Sequence, residues 1–111
     1  MNWIPLTSDN QLKEIKEKSK DKPQVIFKHS IRCGISSMAK NRLERSELPR
    51  SIDFYYLDLI NHRSLSNKLA DYFKVPHETP QVLLIKNGEC VYEESHTGIK
   101  MDDIIEQASF A

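Results

Sequence analysis

The spacing of apolar positions changes several times along the chain, and each change marks an element. Ser8 followed three residues later by Gln11 has the form of a capping box, and Leu12 and Ile15 then give a thin apolar face to a charged helix ending near Lys20. Asp21-Lys22-Pro23 breaks that helix. Gln24 to Lys28, β-branched and aromatic at its centre, reads as a short buried strand ending at His29. Ile35, Met38, Ala39 and Leu43 return to helical spacing, which predicts a second helix beginning around Cys33 and stopping before Pro49. Ile52 to Leu59 is a second strand, and Leu65, Leu69, Tyr72 and Phe73 trace the stripe of a third helix. Gln81–Lys86, the turn Asn87-Gly88 and Glu89–Glu94 form a β-hairpin. After Gly98 comes a last helix with Asp102 and Asp103 in its first turn, where the helix dipole favours acidic groups, and with Ile104, Ile105 and Ala108 facing inward.

A strand-helix-strand unit places its strands parallel, whereas the hairpin is antiparallel, so the expected fold class is α/β with a central mixed four-stranded sheet flanked by helices. Trp3 to Leu6 is placed to add a fifth, short edge strand. The order helix, strand, helix, strand, helix, hairpin, helix is a thioredoxin-like layout. A chain of 111 residues supports one hydrophobic core, and a single domain spanning 1–111 is expected.

Charge narrows the partners. Lys plus Arg and Asp plus Glu both total 16, so no basic face for a phosphate backbone is implied and nucleic acid is not an expected partner. The opening Met1 to Ser8 lacks a charged segment followed by a long apolar run, and no later stretch has membrane-spanning length. The two cysteines, Cys33 and Cys90, form no Cys-x-x-Cys pair, which argues against a secreted disulfide framework. A cytoplasmic monomer, with no membrane partner, is expected.

The candidate chemistry centres on Cys33. It follows a buried strand and opens a helix, where unpaired backbone N–H groups and the helix dipole favour a thiolate, the attacking species in disulfide exchange. Arg32 and Lys28 add positive potential. The alternative is that Cys33 is a small buried hydrophobe. Ser36 stands where a dithiol enzyme would carry its second cysteine; its hydroxyl is placed to hydrogen-bond the Cys33 sulfur, or simply to cap the helix. A mixed disulfide at Cys33 then waits for a thiol from solution, a monothiol mechanism. Cys90 is expected opposite Ile85, five residues along the strand from Pro80 and so roughly 17 Å from the active end, in a structural role. Thr79-Pro80 opens an apolar strand. A cis bond there would face Cys33 and free the Thr79 backbone to pair with an extended ligand; an ordinary trans turn is the alternative. His29, His62, His77 and His96 share no zinc-ligand spacing, and no metal site is assigned.

Phe27-Lys28-His29-Ser30-Ile31-Arg32-Cys33-Gly34-Ile35-Ser36-Ser37-Met38-Ala39, with Pro76-His77-Glu78-Thr79-Pro80-Gln81, resembles the monothiol bacilliredoxin family of bacillithiol-using bacteria. The likeness spans nearly the whole chain. It implies a thiol-disulfide oxidoreductase that removes bacillithiol from S-bacillithiolated client proteins, taking it onto Cys33 as a mixed disulfide that another thiol later resolves, with a low-molecular-weight thiol among its partners. Bacillithiol is then a co-substrate, with no tightly bound cofactor. Cys33 is the catalytic residue; Gly34, Ile35 and Ser36 form the thiolate-stabilising turn, and Thr79, Pro80 and Arg32 face the substrate. Gly34 stands where many relatives carry proline and leaves the helix start more flexible.

Two other functions are weighed. Cys33-Gly34-Ile35-Ser36 also looks like the Cys-Gly-Phe-Ser of monothiol glutaredoxins, which carry iron-sulfur clusters, although Glu94-Ser95-His96-Thr97-Gly98 replaces their Gly-Gly-x-Asp-like segment. The third is a non-enzymatic thioredoxin-fold module that binds peptides along Thr79-Pro80.

Overall fold

Every position of strand β2 (Gln24–His29) is buried, as a strand covered on both faces must be. Its neighbours explain why. The computed structural model describes residues 3–47 and 49–110, in which a five-stranded sheet has the order β1-β3-β2-β4-β5. Strands β1 (Ile4–Pro5) and β3 (Asp53–Asp58) run parallel to β2, while β4 (Gln81–Lys86) is antiparallel to β2 and β5 (Glu89–Ser95) antiparallel to β4. The mixed sheet therefore forms with the short edge strand included. Met1, Asn2, Leu48 and Ala111 lie outside the described residues.

Alternation along β2 sorts the core into two layers. Ile26 joins Leu12 and Ile15 of helix α1 (Asn10–Lys18) and Leu65 and Leu69 of helix α3 (Arg63–Phe73) on one face. Val25 and Phe27 join Ala39 and Leu43 of helix α2 (Gly34–Arg45) and Ile104 of helix α4 (Met101–Ala108) on the other. A 3-10 turn at His96–Gly98 links β5 to α4.

Four local expectations change. Only half of the Ser8/Gln11 capping box forms: Gln11 Oε1 accepts the Thr7 and Ser8 N–H groups at 2.7 and 3.1 Å, and Asp9 takes the N-cap position without a side-chain bond. The buried stripe of α2 is Ser36, Ala39 and Leu43, so Ile35 and Met38 point to solvent. Tyr72 and Ile105, expected to face inward on α3 and α4, are exposed as well. The hairpin has its two-residue turn, with Asn87 and Gly88 both at positive φ (52° and 82°), as this turn class requires. A bulge between Leu84 and Ile85 leaves Cys90 opposite Ile85, as expected.

Candidate active site at the head of the second helix

The sheet register assembles the site. Antiparallel pairing sets Lys28 of β2 opposite Gln81 of β4, so the chain leaving β2 towards Cys33 and the chain entering β4 through Thr79-Pro80 meet at one end of the sheet. Beyond His29, the Cys33 N–H donates to Ser30 O at 3.1 Å to close a turn, and Cys33 becomes the N-cap of α2 with extended backbone, φ −105° and ψ 116°. Cys33 is half-buried and makes no side-chain capping bond, so the first-turn N–H groups of α2 are left to solvent or ligand.

Ser36 sits elsewhere than expected. Its side chain is fully buried; its Oγ accepts the Ser30 N–H at 3.1 Å and lies 2.5 Å from His29 Nδ1. The His29 tautomer sets which of the two donates in this contact, since the Ser36 oxygen can still accept a second hydrogen bond beside the one from Ser30. No hydrogen bond from Ser36 to the Cys33 sulfur is formed among the described residues. Ser36 fastens the Cys33 turn to the end of β2 and bears on the thiolate only through that geometry. The His29 ring is held on its other sides by Phe27 (centroids 5.7 Å apart) and Tyr56 (5.6 Å), with Trp3 stacked on Phe27. Burial, reinforced by the Lys40 charge, lowers the His29 pKa, so the ring is neutral in this pocket.

Gly34 and Ile35, the first two residues of α2, are exposed, as is Arg32 in the preceding turn. Across from them the Thr79-Pro80 bond is cis. Pro80 is buried, and its carbonyl accepts the His96 N–H at 3.0 Å. Among the described residues the Thr79 backbone makes no hydrogen bond, which leaves one N–H and one C=O open at the same end of the sheet as Cys33. His77 ties this segment to α3, its ring lying 3.4 Å from Ser66 Oγ and 3.2 Å from Thr79 Oγ1. Burial and the nearby Lys28 and Arg63 charges lower its pKa.

Reasoning from sequence gave Lys28 a role as positive potential near Cys33, whereas the structure buries it against Gln81, a partner the sequence did not single out. Lys28 is 1% exposed and donates to Gln81 Oε1 at 2.9 Å; burial pulls its pKa down to about 8 against the opposing pull of Glu78 and Glu93. Gln81, fully buried, holds the incoming strand. The available signal was a Lys-His pair ending an otherwise apolar central strand, a place where an unpartnered charge is costly.

Cys90 packs against the α1/α3 core far along the hairpin, its thiol donating to Tyr92 O at 3.4 Å, and burial pushes its pKa up to about 11. No group of three His, Cys, Asp or Glu side chains able to hold a metal ion occurs among the described residues, and none of their helices is long and apolar enough to cross a membrane.

A two-layered mixed sheet, a cysteine capping α2 and a cis-proline entering β4 define a thioredoxin-fold protein with one cysteine at the active end. Comparisons agree on the fold. A protein assigned as an oxidoreductase with a thioredoxin fold is 32% identical, with a TM-score of 0.81 over 94% of this chain and 91% of its own. The thioredoxin Mala s 13 of Malassezia sympodialis superposes with a TM-score of 0.78 at 21% identity, over 98% and 92% of the two chains. Thioredoxin from Trypanosoma brucei brucei does so at 0.73 and 19%, over 95% and 92%. The family model for monothiol bacilliredoxin BrxC matches residues 4–104, and the chain belongs to that family.

Proposed function

We infer that this chain strips bacillithiol from S-bacillithiolated proteins through Cys33. The observation that carries the reading is the pairing of a half-exposed Cys33 with no second thiol at its end of the sheet: Ser36 occupies the resolving position and is tied to His29, and Cys90 lies in the hairpin opposite Ile85. The Cys33 thiolate attacks the bacillithiol sulfur of the client's mixed disulfide. That S–S bond breaks, the client leaves as a thiolate and takes a proton from water, and a Cys33-bacillithiol disulfide forms. A second low-molecular-weight thiol then attacks this bond and restores Cys33, so the disulfide is passed on with no net redox change in the protein.

The surroundings suit a protein client. Ile31, Ile35 and Met38 are 66%, 46% and 62% exposed around the Cys33 turn, an apolar surface on which a polypeptide can dock. The open Thr79 backbone offers strand-like pairing to the chain on either side of the client cysteine. Bacillithiol is the co-substrate, and no tightly bound cofactor is required.

The test is to mix the reduced protein with a bacillithiolated and a glutathionylated form of the same client and to follow intact masses. Restoration of the bacillithiolated client, with the bacillithiol mass gained by this chain, supports the reading. Transfer of glutathione alone overturns the thiol assignment. If neither adduct forms and anaerobic reconstitution gives a coloured dimer, the chain is a cluster carrier instead.

A further inference from the structure

Lys28, Gln81 and Glu93 form a connected line at the entrance to β4, the first two buried and Glu93 at the exposed end. Gln81 Oε1 accepts from Lys28 Nζ at 2.9 Å and from the Glu78 N–H at 3.4 Å; its Nε2 donates to Pro76 O at 3.1 Å and to Glu93 Oε2 at 2.9 Å. Every hydrogen-bonding position of the amide is used, and two of the four bonds go to the backbone of the segment leading into Thr79-Pro80. The amide cannot turn over without setting its NH2 against an ammonium group and its oxygen against a carboxylate. The opposite charges of Lys28 and Glu93 therefore dictate which way the amide faces, and the amide dictates where Pro76 and Glu78 lie.

Nothing in the fold requires this arrangement. A buried cation with no directly bonded carboxylate is costly, and an apolar pair would fill the same cross-strand site between β2 and β4. The three residues converge on the segment that leads into Thr79, whose backbone is open at the same end of the sheet as Cys33. From that convergence we propose that Lys28, Gln81 and Glu93 are positioning residues which hold residues 76–79 in the form that receives the client chain. They act on client recognition, not on the sulfur. The proposal rests on the exchange reading of Cys33 for its functional part and on geometry alone for the clamp.

The experiment compares wild type with Lys28→Met, Glu93→Ala and Glu93→Gln by amide hydrogen exchange and by steady-state removal of bacillithiol from a client. Glu93 is exposed, so its variants leave the core unaltered. Exchange of the Glu78 amide is expected to accelerate by about tenfold in Lys28→Met and Glu93→Ala and to stay near wild type in Glu93→Gln, which keeps an acceptor for Gln81. In the same two variants the client KM is expected to rise by roughly tenfold while kcat stays within about threefold of wild type. Unchanged exchange in both variants overturns the clamp. Faster exchange with a lower kcat at unchanged KM overturns the recognition role and places Lys28 in the chemistry at Cys33. If wild type accepts no client, the exchange reading fails, while hydrogen exchange still decides the clamp.

Discussion

Ser36 Oγ lies 2.5 Å from His29 Nδ1, so the residue at the position of a resolving cysteine is a tether between α2 and the end of β2. The Ser30 N–H shares that tether at 3.1 Å. Ser36→Ala would leave the buried His29 Nδ1 and the half-buried Ser30 N–H unpaired, at a cost of about 1–3 kcal/mol. Urea denaturation of the variant is expected to show that loss; a change below a few tenths would mean that water replaces the hydroxyl.

Gly34 is the first residue of α2, where proline is well tolerated. A Cβ at this position meets nothing within 4 Å, and Cys33 already has the extended backbone that a residue before proline adopts. Gly34→Pro is expected to stabilise the protein by about 0.4–1 kcal/mol, chiefly by restricting the unfolded chain. Chemical denaturation gives the sign, and destabilisation would show that the Gly34 N–H has a partner in the folded protein.

The Lys28 charge is retained at the expense of stability. Its pKa falls from 10.5 to about 8 on folding because burial disfavours the ammonium form. Between those values the unfolded chain holds a proton that the folded chain has released, so stability rises with pH across this window and is lost as pH falls through about 8. Lys28→Met is therefore expected to be more stable than wild type at pH 7, by about 1 kcal/mol or more, with the gap closing as pH approaches 10.5. Thermal melts of both proteins from pH 7 to 10 check this. A variant that is less stable at pH 7 would mean that the Gln81 bond outweighs the buried charge.

Much of the fold was legible because it is written locally. Asn87-Gly88 fixes the hairpin and with it the pairing of Cys90 with Ile85, and the buried run of β2 followed by helical spacing puts Cys33 at the head of α2. The face that α2 buries was legible only at Ala39 and Leu43. Apolar spacing chose Ile35 and Met38, whereas the structure buries Ser36, whose partners His29 and Ser30 come from the preceding strand and turn. Lys28 and Gln81 lie 53 residues apart, and only the register of β2 on β4 makes a pair of them. Polar groups whose burial depends on such distant partners leave no periodic trace in a single sequence.

The central claim is that Cys33 alone takes the thiol from the client. The most direct test is site-resolved mass spectrometry after a brief reaction of native protein with a bacillithiolated client, run beside Cys33→Ala. The account predicts the adduct on Cys33, none on Cys90, whose burial pushes its pKa up to about 11, and none on the variant. An adduct on Cys90, or a client restored equally well by Cys33→Ala, would contradict it.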